Sequence, residues 1–230
     1  MHQEYRKIWG RRQSRPLKDY QKNLSTQLLP QLEVKIEPGV TIDPLTLFST
    51  PKADYHLEIG FGGGEHLAAR ALESPEVGFV GCEPFINGVA SLLKHIDTKS
   101  IENVRIVVDD ARLLLKGLPT ACVNRIYILF PDPWHKKRHH KRRIVSDETI
   151  GDLSRILKTG GTLYLATDIL NYAEWMQETL ATRPEFSLEM GDRKSLTDRP
   201  TDWPEPTKYE LKGVQAGRHA SYMIYRKKMG

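Results

Sequence analysis

The chain has 230 residues, 39% of them hydrophobic, with a net charge of +5, enough for one sizeable α/β domain with additions. No apolar run approaches the roughly 20 residues of a membrane span, and the first residues carry no signal-peptide apolar region. Cys82 and Cys122 are isolated, without metal-ligand pair spacing, so reduced thiols in a cytoplasmic protein are expected.

Residues 1–50 are polar and broken by Pro16, Pro30, Pro38, Pro44 and Pro51, which predicts a basic N-terminal arm with short helical pieces ahead of a domain at 51–230. Strand and helix then alternate. Tyr55–Ile59 is a strand, Gly60–Gly64 a glycine turn, and Glu65–Glu73 a helix with Leu67, Ala68, Ala71 and Leu72 on one face. Gly78–Cys82 is the second strand. A helix follows from Ile86 to about His95, with Val89, Leu92, Leu93 and Ile96 at helical spacing. Val104–Val108 and Arg125–Phe130 are strands, and Asp147–Leu157 is a helix ended by Gly160-Gly161. Thr162–Ala166 is a strand and Asn171–Leu180 a helix, while Phe186–Met190 and Tyr222–Tyr225 are strands that pair at the end. This order predicts a doubly wound, mostly parallel seven-stranded sheet with an antiparallel C-terminal strand. Ligands belong outside the carboxyl ends of its strands.

Three strand ends carry the cofactor signal. The first reads Glu58-Ile59-Gly60-Phe61-Gly62-Gly63-Gly64-Glu65. A dinucleotide fingerprint starting at Gly60 needs glycine at position 65, which is Glu, and a carboxylate there repels a pyrophosphate. Two acids around the turn suit S-adenosylmethionine, which carries an ammonium and a sulfonium. The second strand ends in Glu83, an acid that can accept both ribose hydroxyls. The third ends Asp109-Asp110-Ala111, where Asp110 can accept from an adenine amine and Ala111 offers a backbone N–H. A helix N-cap is the plain alternative for Asp110.

Phe130-Pro131-Asp132-Pro133-Trp134-His135 closes the fourth strand and runs into Lys136, Lys137, Arg138, Lys141, Arg142 and Arg143. The prolines stop the strand and hold Asp132 in a stiff turn. Trp134 offers a stacking surface worth about 1–3 kcal/mol on an unpaired base, with a core or lid tryptophan as the alternative. The cations form a polyanion grip. A second acid-free stretch holds Arg6, Lys7, Arg11, Arg12, Arg15 and Lys18. Two concentrated patches on an otherwise acidic body point to nucleic acid, bound with steep salt dependence. His135, His139 and His140 lack a completing ligand set, so no metal is expected.

These residues, together with Ala166-Thr167-Asp168 and Thr207-Lys208-Tyr209-Glu210, closely resemble the bacterial tRNA (guanine-N7)-methyltransferases over about Tyr5 to Tyr225. His135 stands where many members carry proline. The resemblance implies a class I methyltransferase (Rossmann-like) fold and methylation of guanosine 46 in the tRNA variable loop. It implies that Glu58, Gly60, Gly62, Glu83, Asp110, Ala111 and Asp132 surround S-adenosylmethionine, with Asp132 catalytic. It implies that Lys136, Asp168, Thr207, Lys208, Tyr209 and Glu210 contact the guanosine. Arg11, Arg12, Arg15, Lys137, Arg138, Lys141, Arg142 and Arg143 are then the expected phosphate contacts. Trp203-Pro204-Glu205-Pro206 reads as a stiff approach to the guanosine loop. A carboxylate reading the guanine edge opposite N7 can be Asp132, Asp168 or Glu210. No obligatory protein partner is expected, as monomer or homodimer. The rivals are another nucleic-acid methyltransferase and a non-catalytic RNA-binding protein on the same fold.

Overall fold

A computed structural model describes residues 9–37, 39–191, 199–201, 203 and 206–229. The expected Arg6, Lys7, Pro204 and Glu205 lie outside them. Among the described residues no helix is long and apolar enough to cross a membrane.

Two short helices, α1 (Asp19–Gln27) and α2 (Leu29–Leu32), precede the alternating region. It then runs β1 (Asp54–Ile59), α3 (Glu65–Glu73), β2 (Val77–Cys82), α4 (Ile86–Lys99), β3 (Val104–Val107), α5 (Ala111–Gly117) and β4 (Val123–Leu129). It continues α6 (Asp147–Ile156), β5 (Leu157–Thr167), α7 (Leu170–Ala181), β6 (Phe186–Met190), α8 (Lys208–Gln215) and β7 (Ser221–Lys227). The sheet order is β3-β2-β1-β4-β5-β7-β6. Strands β1 to β5 are parallel, and β7 is antiparallel to both β5 and β6. The chain winds outward from β1 to β3, then returns to β4 on the other side of β1. The β1/β4 boundary is therefore the topological switch point, where a crevice opens beyond the strand ends.

Strand alternation assigns the two faces. Leu57 and Ile59 of β1 join Leu114, Leu153 and Met176 under α5, α6 and α7. Phe79 of β2 and Ile106 of β3 join Leu67, Leu92 and Leu93 under α3 and α4. Leu72, expected on the buried face of α3, is exposed.

Four local readings change. The helix expected to stop at Gly160-Gly161 ends at Ile156, and the glycines lie inside β5. Register with β4 jumps there from Val123↔Leu157 to Arg125↔Thr162. A Cβ at Gly161 would sit 2.8 Å from the carbonyl oxygens of Asn124 and Lys158, so the bulge needs a residue without one. Helix α5 was not anticipated. Helix α8 occupies what read as a loop, although Thr207-x-x-Glu210 is a capping-box signal. Residues 19–50 pack on the sheet: Val34 N–H donates to Ile106 O at 2.8 Å, and Ile42 and Phe48 enter the main core.

Beside this core His56 of β1 is 8% exposed, edge-on to Phe79, and its Nδ1 has no hydrogen-bond partner among the described residues. Burial first, then Arg125, Arg70 and Lys158, lowers its pKa to about 3. The folded state thus refuses a proton that the unfolded chain binds near pH 6.5. Stability is intact above that pH and falls between it and about 3, by about 1.4 kcal/mol per pH unit for this group. Denaturant unfolding from pH 7 to 5 should show a shallower slope in His56→Phe, by one proton. Equal slopes would refute the assignment.

Candidate active site

A cavity of about 440 Å³ opens at the switch point. Its wall is built from Ile59, Gly60 and Gly62 after β1, Cys82 and Glu83 at the end of β2, Asp110 and Ala111 after β3, and Phe130 to Asp132 after β4. Trp9, Gly10 and Arg11 close it from the N-terminal side.

Gly62 has φ +53, a left-handed conformation that glycine adopts without strain. Its N–H donates to Glu83 Oε2 at 2.9 Å, and Phe85 N–H donates to Oε1 at 3.0 Å. Burial raises the Glu83 carboxyl above the usual range, and these two N–H groups offset only part of the effect. The result is an acceptor fixed at the cavity wall, able to receive hydroxyl donors. Asp110 is the N-cap of α5: it accepts from Arg112 N–H at 2.9 Å and pairs with the Arg112 guanidinium at 3.4 Å. Its cap role and its place on the wall hold together. Arg112 also donates to the carbonyls of Arg142 and Arg143, at 2.9 and 3.0 Å, tying the basic loop to this side.

Glu58, next to Ile59 on β1, is buried beside the wall: its carboxylate meets His66 Nδ1 at 2.7 Å.

The β4 tip is stiffer than two prolines alone would make it. Phe130 at φ +51 and Trp134 at φ +48 are both left-handed and bracket Pro131-Asp132-Pro133. Asp132 between them is exposed, and among the described residues nothing hydrogen-bonds its carboxylate. Asp132 lines the cavity with Gly62 and Glu83 and is two residues from Phe130, whose ring meets that of Tyr209 on α8 at 5.3 Å, so it stands between the glycine-turn end of the site and the α8 end.

The basic run divides into two kinds of residue. Lys136, Lys137, Arg138 and Lys141 are exposed, as are Arg11, Arg12 and Arg15. Arg12 O accepts from Ile86 N–H at 2.8 Å, while Asn87 accepts from Ser14 N–H and donates to Arg15 O, so this segment is pinned at the start of α4. Arg142 is different: its guanidinium lies 4.2 Å from the Trp9 ring and 4.9 Å from the Trp134 ring. This contact joins the arm to the β4 tip. Arg143 is corrected outright. It is 1% exposed, donates to Pro133 O and to Asn171 Oδ1 at 2.9 Å each, and sits over Tyr172 and Trp175. No backbone phosphate can reach it.

At the α8 end, Asp168 follows β5 with its carboxylate 6% exposed. The Tyr209 hydroxyl donates to it at 3.2 Å and Arg218 Nε at 2.6 Å. The Tyr209 ring is exposed and 5.3 Å from Phe130, which lines the cavity. Lys208 pairs with Glu65 at 3.6 Å. Glu210 is buried and takes part in the capping box of α8. It accepts from Thr207 N–H at 2.8 Å, from Arg199 at 3.1 Å and from the Tyr222 hydroxyl at 2.9 Å. Burial alone would raise its carboxyl, but these donors outweigh it and hold it below the usual range. Thr207 caps the helix in return. Trp203 is buried against Tyr222 and His66. Of the three carboxylates expected to compete for the guanine edge, Asp132 is bare, Asp168 is paired and Glu210 takes part in the cap of α8. Trp9, Arg112 and Arg218 went unread in the sequence, since only tertiary contact marks them.

A model of the family described as putative methyltransferase matches residues 52–223. A protein of Nitrobacter hamburgensis named tRNA (guanine-N(7)-)-methyltransferase is 41% identical over 228 residues, covering 96% of this chain and 86% of that protein. One of the same name from Caulobacter vibrioides is 45% identical over 206 residues, covering 89% and 88%. Among solved structures, the 16S rRNA methyltransferase KamB superposes with a TM-score of 0.57 at 13% identity, covering 77% of this chain and 89% of that one. That likeness speaks to the fold.

Proposed function

This chain belongs to the tRNA (guanine-N7)-methyltransferases, and on that premise we propose that it methylates N7 of guanosine 46 in the tRNA variable loop. S-adenosylmethionine supplies an electrophilic methyl group on a sulfonium. The cavity suits it: the wall carries a fixed carboxylate acceptor, Glu83, for a ribose, a backbone turn at Gly60 and Gly62, and the capping acid Asp110 with Ala111.

Guanine N7 has a free lone pair, so no proton must be removed before it reacts. What remains for the protein is placement and charge. Asp132 meets both needs: a bare carboxylate at the junction of the two ends can accept from the guanine edge opposite N7 and favour positive charge growing on the ring. That unpaired carboxylate is the observation that carries the reading. Tyr209 and Phe130 flank the approach, and Lys136 with the exposed cations of both basic segments would grip phosphates, which position RNA without reading it. The extruded base and the shape of the tRNA supply specificity. In this reading the enzyme works in the cytoplasm without an obligatory protein partner, and residues 9–15 belong functionally to the donor site.

Nucleoside mass spectrometry tests it directly. Unmodified tRNA incubated with the protein and S-adenosylmethionine should gain 7-methylguanosine, and a transcript with adenosine at position 46 should gain none. A different methylated nucleoside would overturn the substrate.

A further inference from the structure

The two carboxylates nearest the substrate side differ in one respect. Asp132 is bare, whereas Asp168 is neutralised by a cation arriving from a separate element. Arg218, in the turn before β7, places Nε 2.6 Å from Asp168 Oδ2, and its guanidinium is 5.9 Å from the centre of the Tyr209 ring. The Tyr209 hydroxyl donates to the same carboxylate. Gly213 of α8 lies beside the pair: a Cβ there would be 3.7 Å from both Asp168 Oδ2 and Arg218 Nη2. The end of β5, α8 and the turn before β7 thus converge on one ion pair, which touches the Tyr209–Phe130 side of the cavity.

The reaction explains why a neutral pair matters. The N7 lone pair forms the new N–C bond, and the breaking C–S bond leaves its electrons on sulfur. No proton is lost, so the positive charge of the sulfonium passes to the purine. The substrate base is neutral and the product base is a cation. Asp132 already sets one carboxylate charge against the base; a second uncompensated carboxylate there would hold product still more tightly relative to substrate and slow its departure.

We infer that Arg218 is a positioning residue that neutralises Asp168, so that the guanosine site holds its cationic product against one carboxylate charge and not two. The inference rests on the methyl transfer proposed above. Asp168, held by Arg218 and Tyr209, offers hydrogen-bond acceptance without net charge, and of these two carboxylates Asp132 alone lacks an ion-pair partner among the described residues.

The test uses the full chain and two RNAs, unmodified tRNA and the same tRNA carrying 7-methylguanosine at the target position. Dissociation constants are measured for each without donor. Wild type sets the reference ratio, in which the Asp132 charge alone favours the methylated RNA. Arg218→Gln should shift the ratio about tenfold toward the methylated RNA, a change of the size expected for one partly screened charge. It should also slow multiple turnover more than single turnover. Arg218→Lys should restore the ratio, and adding Asp168→Asn to Arg218→Gln should abolish the added bias. Equal loss of affinity for both RNAs in Arg218→Gln would show a mere structural pin and overturn the inference. An added bias that survives Asp168→Asn would overturn it as well. Failure of wild type to make 7-methylguanosine would instead reject the underlying reading, so the two failures are separable.

Discussion

Asp132→Ala should lower the single-turnover rate of 7-methylguanosine formation by about a hundredfold to a thousandfold, the cost of removing one preorganised electrostatic group. Binding of S-adenosylmethionine should change far less, because Glu83, Gly62 and Asp110 remain. The stability of the fold should stay within about 0.5 kcal/mol, since the side chain is exposed and no hydrogen bond among the described residues engages it. Asp132→Asn separates two roles. It keeps an oxygen acceptor but not the charge, so recovery toward wild type would assign the residue to positioning. A rate as low as that of alanine would assign it to charge. Activity of the alanine variant within threefold of wild type would remove Asp132 from the mechanism.

Arg143→Ala should cost about 3–4 kcal/mol in denaturant unfolding. The guanidinium fills space between Tyr172 and Trp175 and satisfies the Pro133 carbonyl and the Asn171 amide oxygen. Truncation empties that volume and leaves two acceptors without their donor. Arg143→Met refills the volume and should recover part of the loss while leaving the acceptors orphaned. Both variants should also slow methyl transfer in folded protein, because the Pro133 carbonyl is the point at which the Asp132 turn is tied down. An alanine variant within about 1 kcal/mol of wild type would contradict this role.

The doubly wound sheet was legible because its strands are apolar runs closed by turn residues, as at Ile126–Phe130 before Pro131. The site wall was legible because acids and glycines recur at successive strand ends. What escaped was direction. Glu58 and Ile59 are neighbours in sequence, yet the pleat sends them to opposite faces, and the buried contact of Glu58 with His66 could not be read from the sequence. The basic run was read as uniform charge. It winds as a 3-10 turn over Lys137–Arg142 whose last carbonyls lead into Arg143, and it is tertiary contact that buries Arg143 while Lys137, Arg138 and Lys141 stay exposed. Thr207 and Glu210 show a second use that the resemblance did not announce: the pair expected at the substrate is also the cap of α8.

The division within the basic run bears on which exchanges the chain can accept. Lys137, Arg138 and Lys141 need only present positive charge to solvent, so lysine and arginine are interchangeable there. The Arg142 guanidinium meets two indoles, at 4.2 Å and 4.9 Å, and Arg143 splits its donors between a carbonyl and an amide. Both uses depend on a planar, forked cation, which the compact ammonium of lysine cannot imitate. A stretch that looks like one repeated letter therefore contains two positions with a fixed spelling and several where drift between the two basic residues is silent.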